Sequence, residues 1–277
     1  MLKELRCVGV VGAGTMGRGI AQVFAMKNCP VVLFDSSKDA LANALPKIKE
    51  HTSAELWPVV AENLKTSADI SALSGCGLII EAVFEEARIK KDVLKAIESV
   101  CRKDALIATN TSSISIDELA DALRDPSRFA GMHFMNPPKV MKLVEVVKGK
   151  QTSDETVRAV VQTASELDKV TAVVKDTPGF VTNRLLFALL GEAMRLLQDG
   201  VASREDIDAT MKHGMNHPMG PLELADFIGL DVCLDIMIYI AEKLEDEKYA
   251  PPAVLVSLVT KGRLGKKTRH GFYNYDE

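Results

Sequence analysis

Residues 8–17 read Val-Gly-Val-Val-Gly-Ala-Gly-Thr-Met-Gly. An apolar run of strand length, Cys7–Val11, leads into Gly12, Gly14 and Gly17, and an amphipathic stretch of helical length, Met16–Lys27, follows. Glycines spaced G-x-G-x-x-G between a strand and a helix let the chain turn tightly, let a diphosphate approach the backbone, and let helix and strand pack closely. Thr15 and Met16 open the helix, whose first N–H groups and positive dipole end face the same place. A second apolar run, Val31–Phe34, ends at Asp35, about 20 residues on. A carboxylate there accepts hydrogen bonds from adenine-ribose hydroxyls and repels a 2′-phosphate. NAD is therefore expected over NADP, with Lys38 as the one nearby cation that argues the other way. The plainer alternative is a glycine-rich turn that binds nothing.

Working outward, apolar runs at Leu78–Val83, Ala105–Thr109, Phe129–Phe134, Val144–Val147 and Thr171–Val174 alternate with helical stretches such as Glu86–Arg102. This alternation predicts an α/β fold with a Rossmann-type, mostly parallel sheet covered by helices on both faces. After Lys175 the pattern changes. Thr177-Pro178-Gly179 breaks regular structure, and only helices are expected beyond it. Val181–Gln198 stops at Asp199-Gly200. Ser203 and Asp206 form a capping pair for the next helix. Pro221–Phe227 and Asp231–Leu244 follow, and Pro251-Pro252 opens a last helix ending near Gly262. The boundary is placed near Asp176, giving a nucleotide-binding domain over 1–176 and a smaller all-α domain over 177–277.

Composition narrows the function. Apolar residues make up 47% of the 277, enough for two cores. A formal charge of −4 argues against a nucleic-acid partner. The lack of any apolar run of ~18 residues argues against a membrane span. The first residues enter a strand at once, so neither a leader nor a transit peptide is expected, and the expected location is cytoplasmic. The five cysteines are scattered, without zinc-like or redox-motif spacing, and read as reduced core thiols.

Chemistry in open α/β sheets gathers at the C-terminal ends of the strands. Asn110-Thr111-Ser112-Ser113 follows one strand and His133 ends another. Glu145 lies twelve residues beyond, at the start of a further strand. Histidine is a natural acid/base for alcohol oxidation, and a carboxylate behind it would fix its tautomer and favour its cation. The same pair is also common as plain structure. His213 and His217 have i, i+4 spacing, but Gly214 and Pro218 make a continuous helix doubtful, and no metal is expected. His51 and His270 read as solvated.

The segments GAGTMGRGIAQ, NTSSISI, GMHFMNPPKVMKLVEVV, DTPGFVTNR, HPMGPLELADFIGLD and GKKTRHGFYNY, in this order from about residue 6 to residue 275, resemble the successive motifs of the 3-hydroxyacyl-CoA dehydrogenase family. The resemblance implies NAD-linked, reversible oxidation of a short-chain (S)-3-hydroxyacyl-CoA, such as 3-hydroxybutyryl-CoA, to the 3-ketoacyl-CoA. It implies His133 as catalytic base, Glu145 as its orienting carboxylate, and Ser112 and Asn183 as polar groups near the reacting oxygen. On the cofactor side it implies Asp35 at the adenosine ribose, and Glu85, Lys90, Ser112 and Asn136 along the ribose and nicotinamide end. Lys267 is implied as a contact from the helical domain, which also completes the substrate cleft. Without the resemblance, Glu85 and Lys90 would read as surface charges.

Two features depart from the family pattern. Between Asp35 and Leu78 the family usually carries a longer, lysine-rich helical arm that grips CoA. Here only Asp39–His51, an interruption at Trp57-Pro58, and Val59–Leu64 stand in its place, with Lys47, Lys49 and Lys65 as candidate phosphate contacts. Arg269-His270 occupies a place where small or flexible residues are usual. Two other functions stand beside this one. A β-hydroxyacid dehydrogenase acting on a free acid would need a lysine where the interdomain helix has Asn183 and Arg184. A non-catalytic NAD-binding protein would not need both His133 and Glu145. Apolar runs in the small domain, Leu185–Leu190 and Val232–Ile240, exceed what about 100 residues can bury alone, so a homodimer is expected.

Overall fold

The computed structural model describes Leu2 and residues 5–276. The chain divides into two compact units, Met1–Thr177 and Pro178–Glu277.

The first unit is built on one eight-stranded sheet in the order β3-β2-β1-β4-β5-β6-β7-β8. The strands are β1 (Val8–Val11), β2 (Val31–Phe34), β3 (Leu64–Ser67), β4 (Leu78–Glu81), β5 (Leu106–Thr109), β6 (Phe129–Phe134), β7 (Leu143–Lys148) and β8 (Val170–Lys175). All neighbours are parallel except β6 and β7. The helices are α1 (Thr15–Met26), α2 (Lys38–Glu50), α3 (Trp57–Asn63), α4 (Ala87–Val100), α5 (Ile116–Ala120) and α6 (Asp154–Glu166). Central strands β1, β4 and β6 are buried at every residue, which is why they read as unbroken apolar runs rather than alternating ones. Edge strand β8 leaves Val170 and Val173 exposed.

From β1 the chain builds outward in one direction to β2 and β3, then returns to β4 on the other side. The Gly12 turn therefore sits at the switch point where an open sheet parts its loops. Strand β3 was not expected. Its sequence, Leu-Lys-Thr-Ser, buries only Leu64 and takes its place by pairing with β2. Trp57-Pro58, which reads as an interruption, instead starts α3, where proline's missing N–H costs nothing. Glu145 is the third residue of β7 rather than a strand-start residue.

The second unit contains α7 (Thr182–Gln198), α8 (Arg204–Ala209), α9 (Pro221–Ile228), α10 (Leu230–Leu244) and α11 (Ala253–Thr260) around Phe187, Leu190, Met194, Leu222, Met237 and Ile240. Ser203 Oγ accepts from the Asp206 N–H at 3.1 Å and caps α8. Thr210–Gly214 continues α8 as a single wide π turn, and His217 lies beyond it.

Two buried aspartates organise this unit. Asp208 accepts from the Leu222 and Glu223 N–H groups at 2.8 and 2.9 Å, capping α9. Asp226 accepts from Phe272 N, Tyr273 N and Tyr275 Oη and so ties down the aromatic tail. Side chains have no room beside them: a Cβ on Gly220 would lie 2.2 Å from Asp208 Cγ, and one on Gly271 1.9 Å from Asp226 Oδ1. Gly220 of the HPMGP motif and Gly271 of the GFYNY motif are thus explained by packing. Arg269 adopts φ +58°, a left-handed conformation in which small residues are less strained. No helix among the described residues is long and apolar enough to cross a membrane.

Candidate active site

The β6–β7 register places His133 directly opposite Glu145. Residues paired across antiparallel strands share a face, with Cβ atoms about 5 Å apart. The side chains meet with His133 Nδ1 2.9 Å from Glu145 Oε2. Both are buried, at 6% and 1% exposure. A carboxylate oxygen accepts, so the contact is read as His133 Nδ1–H donating to Glu145. The strand carrying the histidine is itself fixed at its end, where Phe134 N–H donates to Asn110 Oδ1 at 2.8 Å.

At the end of β4 lies a carboxylate that the sequence reading did not single out. Glu81 is fully buried; it accepts from Lys90 Nζ at 2.9 Å, Thr109 Oγ1 at 2.6 Å and Val83 N at 2.7 Å. Lys90, 1% exposed, also reaches Glu85 at 3.2 Å. It is thus a cation buried between two carboxylates, not a surface charge. Glu85 in turn accepts from Thr111 Oγ1 at 2.6 Å, Ser112 N at 2.7 Å and Ser113 N at 3.0 Å, holding the turn after β5. Desolvation opposes ionisation of Glu85, but Lys90 and the donors from Thr111 and Ser112 outweigh it and hold the carboxyl below its usual range. Glu85, Lys90 and Ser112 therefore form one connected network. The available signal for Glu81 was a charged residue closing an otherwise apolar, fully buried strand.

The glycines of the first turn separate by role. Gly12 has φ +106°, and a Cβ there would lie 2.6 Å from Ala82 O. On Gly17 a Cβ would lie 1.7 Å from Gly12 O, so this glycine is needed for the turn to close. Gly14 is exposed and a Cβ on it would meet nothing within 4 Å. Packing does not explain that glycine, and the open space above it leaves room for a ligand to approach the backbone. Helix α1 starts at Thr15 with no side-chain cap and no acidic residue in its first turn, leaving N–H groups open to an anion. Met16 packs partly against the core. Asp35 spans the turn, accepting from Ala13 N at 2.7 Å and Ser37 N at 2.8 Å.

A cavity of about 320 Å³ lies beside this turn, lined by Thr15, Arg18, Lys47, His51, Asn136 and Lys139 among others. Asn136, three residues past His133, thus shares a wall with the start of α1. Of the three candidate lysines, Lys47 lines the cavity, Lys49 lies over the Trp57 ring, and Lys65 is exposed on β3. His51 is exposed, as expected, but sits at the rim of this cavity. Asn183 and Lys267 belong to the second unit. Asn183 lies in the first turn of α7, and Lys267 bonds both carboxylate oxygens of Asp231.

The comparisons with known proteins cover nearly the whole chain. The family described as "3-hydroxyacyl-CoA dehydrogenase, NAD binding domain" matches residues 7–177. The one described as "3-hydroxyacyl-CoA dehydrogenase, C-terminal domain" matches residues 179–275. A probable 3-hydroxybutyryl-CoA dehydrogenase of Deinococcus radiodurans is 45% identical over 275 residues, covering 96% of this chain and 99% of that protein. A 3-hydroxybutyryl-CoA dehydrogenase of Bradyrhizobium diazoefficiens is 44% identical, covering 99% and 97%. The crystal structure of (S)-3-hydroxybutyryl-CoA dehydrogenase from Ralstonia eutropha superposes with a TM-score of 0.94 at 41% identity, covering 99% of this chain and all of that one.

Proposed function

The chain belongs to the 3-hydroxyacyl-CoA dehydrogenase family of oxidoreductases, and on that premise we propose that it interconverts short-chain (S)-3-hydroxyacyl-CoA and 3-ketoacyl-CoA with NAD, using His133 as acid and base. The observation that carries this reading is the buried His133–Glu145 contact at the C-terminal end of β6. In oxidation, Nε2 of His133 takes the hydroxyl proton while Glu145, fixed at Nδ1, stabilises the imidazolium. In reduction, the same imidazolium returns the proton. Ser112 and Asn183 orient the substrate oxygen. A bound nicotinamide dinucleotide supplies the two-electron oxidant or reductant.

Several features fit that cofactor: the open backbone at Gly14, the uncapped start of α1, and the Asp35 carboxylate beside the turn. Asp35 favours NAD over NADP because it would face a 2′-phosphate with like charge. Glu85, Lys90 and Asn136 line the ribose and nicotinamide end, and Lys267 adds a contact from the helical unit. Arg18, Lys47 and Lys139 around the cavity suit the phosphates of the CoA carrier. Residues 1–176 serve as the nucleotide-binding domain, and 177–277 complete the substrate cleft and form the dimer contact. A cytoplasmic location is part of the same proposal.

The test is NADH oxidation followed by absorbance with acetoacetyl-CoA, beside free acetoacetate, NADPH and His133→Ala. Turnover should be rapid with the ester and NADH, weak with the free acid or NADPH, and lost in the variant. Turnover of the free acid but not the ester would overturn the acyl-CoA assignment.

A further inference from the structure

Three cysteines stand just before adjacent strands, at the edge of the sheet opposite the Gly12 turn: Cys7 before β1, Cys29 before β2 and Cys76 before β4. The Sγ atoms of Cys7 and Cys76 are 3.0 Å apart. The backbone at this point is already paired: Val8 stands opposite Leu78, and Gly77 N–H donates to Cys7 O at 3.0 Å. Neighbouring strands lie about 4.8 Å apart, within the span a disulfide bridges, and the sulfurs need to close by only about 1 Å to bond. Exposure differs between the two. Cys7 is partly exposed, whereas Cys76 is buried. Cys29 is buried too, and its thiol faces Pro30 O at 3.7 Å.

We propose that Cys7 and Cys76 form a dithiol modification site whose oxidant is hydrogen peroxide, with Cys7 the attacking sulfur and Cys76 the resolving one. The Cys7 thiolate attacks one peroxide oxygen. The O–O bond breaks, a sulfenic acid forms, and hydroxide leaves. The Cys76 sulfur then attacks the sulfenic sulfur; the S–S bond forms as the S–O bond breaks, and the Cys76 proton leaves with the hydroxyl as water. Two thiols lose two electrons in total and the peroxide is reduced to two waters. Because the second thiol is already in contact, the sulfenic acid is resolved before further oxidation reaches it. The direction of attack follows from the same contact. The hydrogen bond with Cys76 holds the Cys7 thiol below its ordinary value against burial, with Lys65 assisting, while that bond and burial push Cys76 up. Burial raises Cys29 to about 11, and its sulfur faces the Pro30 carbonyl rather than Cys7, so it is not positioned to resolve the sulfenic acid.

The experiment exposes the full-length chain to hydrogen peroxide, alkylates it after denaturation, and maps the peptides by mass spectrometry without reduction. The five alkylatable thiols should fall to three, with a mass loss of about 2 Da, a cross-linked peptide pair containing Cys7 and Cys76, and full recovery in dithiothreitol. Cys29→Ser should behave alike. Cys76→Ser should carry added oxygen on Cys7 and no cross-link. The proposal is overturned if the unsubstituted chain keeps all its thiols, gains oxygen on Cys7 while Cys76 stays alkylatable, or cross-links through Cys29. The peptide map of the unsubstituted chain decides this even where a variant does not fold.

Discussion

At the scale of single residues, the two buried ionic groups make different demands. In the proposed mechanism Glu145 acts through the histidine, so its removal should spare binding and slow chemistry. Glu145→Gln is expected to lower kcat ~10²–10⁴-fold with little change in KM, the far-ultraviolet circular dichroism unchanged. Lys90 carries both structure and site. Lys90→Met leaves Glu81 and Glu85 without their cation and should destabilise the fold by about 3–5 kcal/mol, read from urea denaturation at neutral pH. The pH dependence follows from Glu85. Its folded carboxyl lies below its ordinary value, so its stabilisation is complete above an unfolded pKa of about 4.3 and fades as pH falls through the folded one. In Lys90→Met that part of the acid-side slope should flatten; an unchanged slope would mean that Lys90 does not hold Glu85 ionised. His133 and Glu145 were both legible as candidates from residue type and strand position, and the β6–β7 register is what sets them opposite each other. Glu81 was passed over although it is the acidic residue within the apolar run Leu78–Val83, because its cation, Lys90, reads as a surface charge until the fold brings the two together.

At the scale of elements, the first turn can be divided experimentally. Gly17→Ala forces a methyl onto Gly12 O and should prevent the turn from closing, giving insoluble or molten protein. Gly14→Ala adds a methyl in open space, so it should melt within about 0.5–1 kcal/mol of the parent yet bind NADH far more weakly, as measured by fluorescence titration. Normal NADH affinity in Gly14→Ala would count against the assigned phosphate site. Most strands were legible because burial on both faces demands unbroken apolar runs, and Val31–Phe34 and Phe129–Phe134 were placed to the residue. Strand β3 was not, since Lys65, Thr66 and Ser67 carry no apolar pattern and tertiary pairing alone makes them a strand. Trp57-Pro58 misled for a related reason: proline stops a helix from within but starts one well.

At the scale of the whole molecule, the helical unit leaves Leu185, Phe227 and Val256 exposed at 68%, 61% and 43%. Apolar groups so displayed favour association, in keeping with the dimer proposed above. Light scattering at micromolar concentration should give about twice the 30.1 kDa chain mass, and Leu185→Glu should shift it toward one. A monomeric parent would remove the dimer from the account. The motifs of this unit were easy to see and hard to interpret from sequence, because Gly220 and Gly271 are explained by the buried aspartates they pack against rather than by any ligand.

The His133–Glu145 pairing also sets what can be changed between the two strands. Both partners are fixed by the ladder of β6 and β7, not by the connection joining them. Residues may be inserted after Pro138, at the turn, and the pair will survive as long as the strands re-form in step. A slip of β7 by one residue against β6, by contrast, inverts the facing of every side chain in the strand. A valine would then face the histidine and the carboxylate would point through to the other side of the sheet. Activity in a library of loop-length variants would serve as a readout of strand alignment, separating chains that merely collapse from those that fold in register.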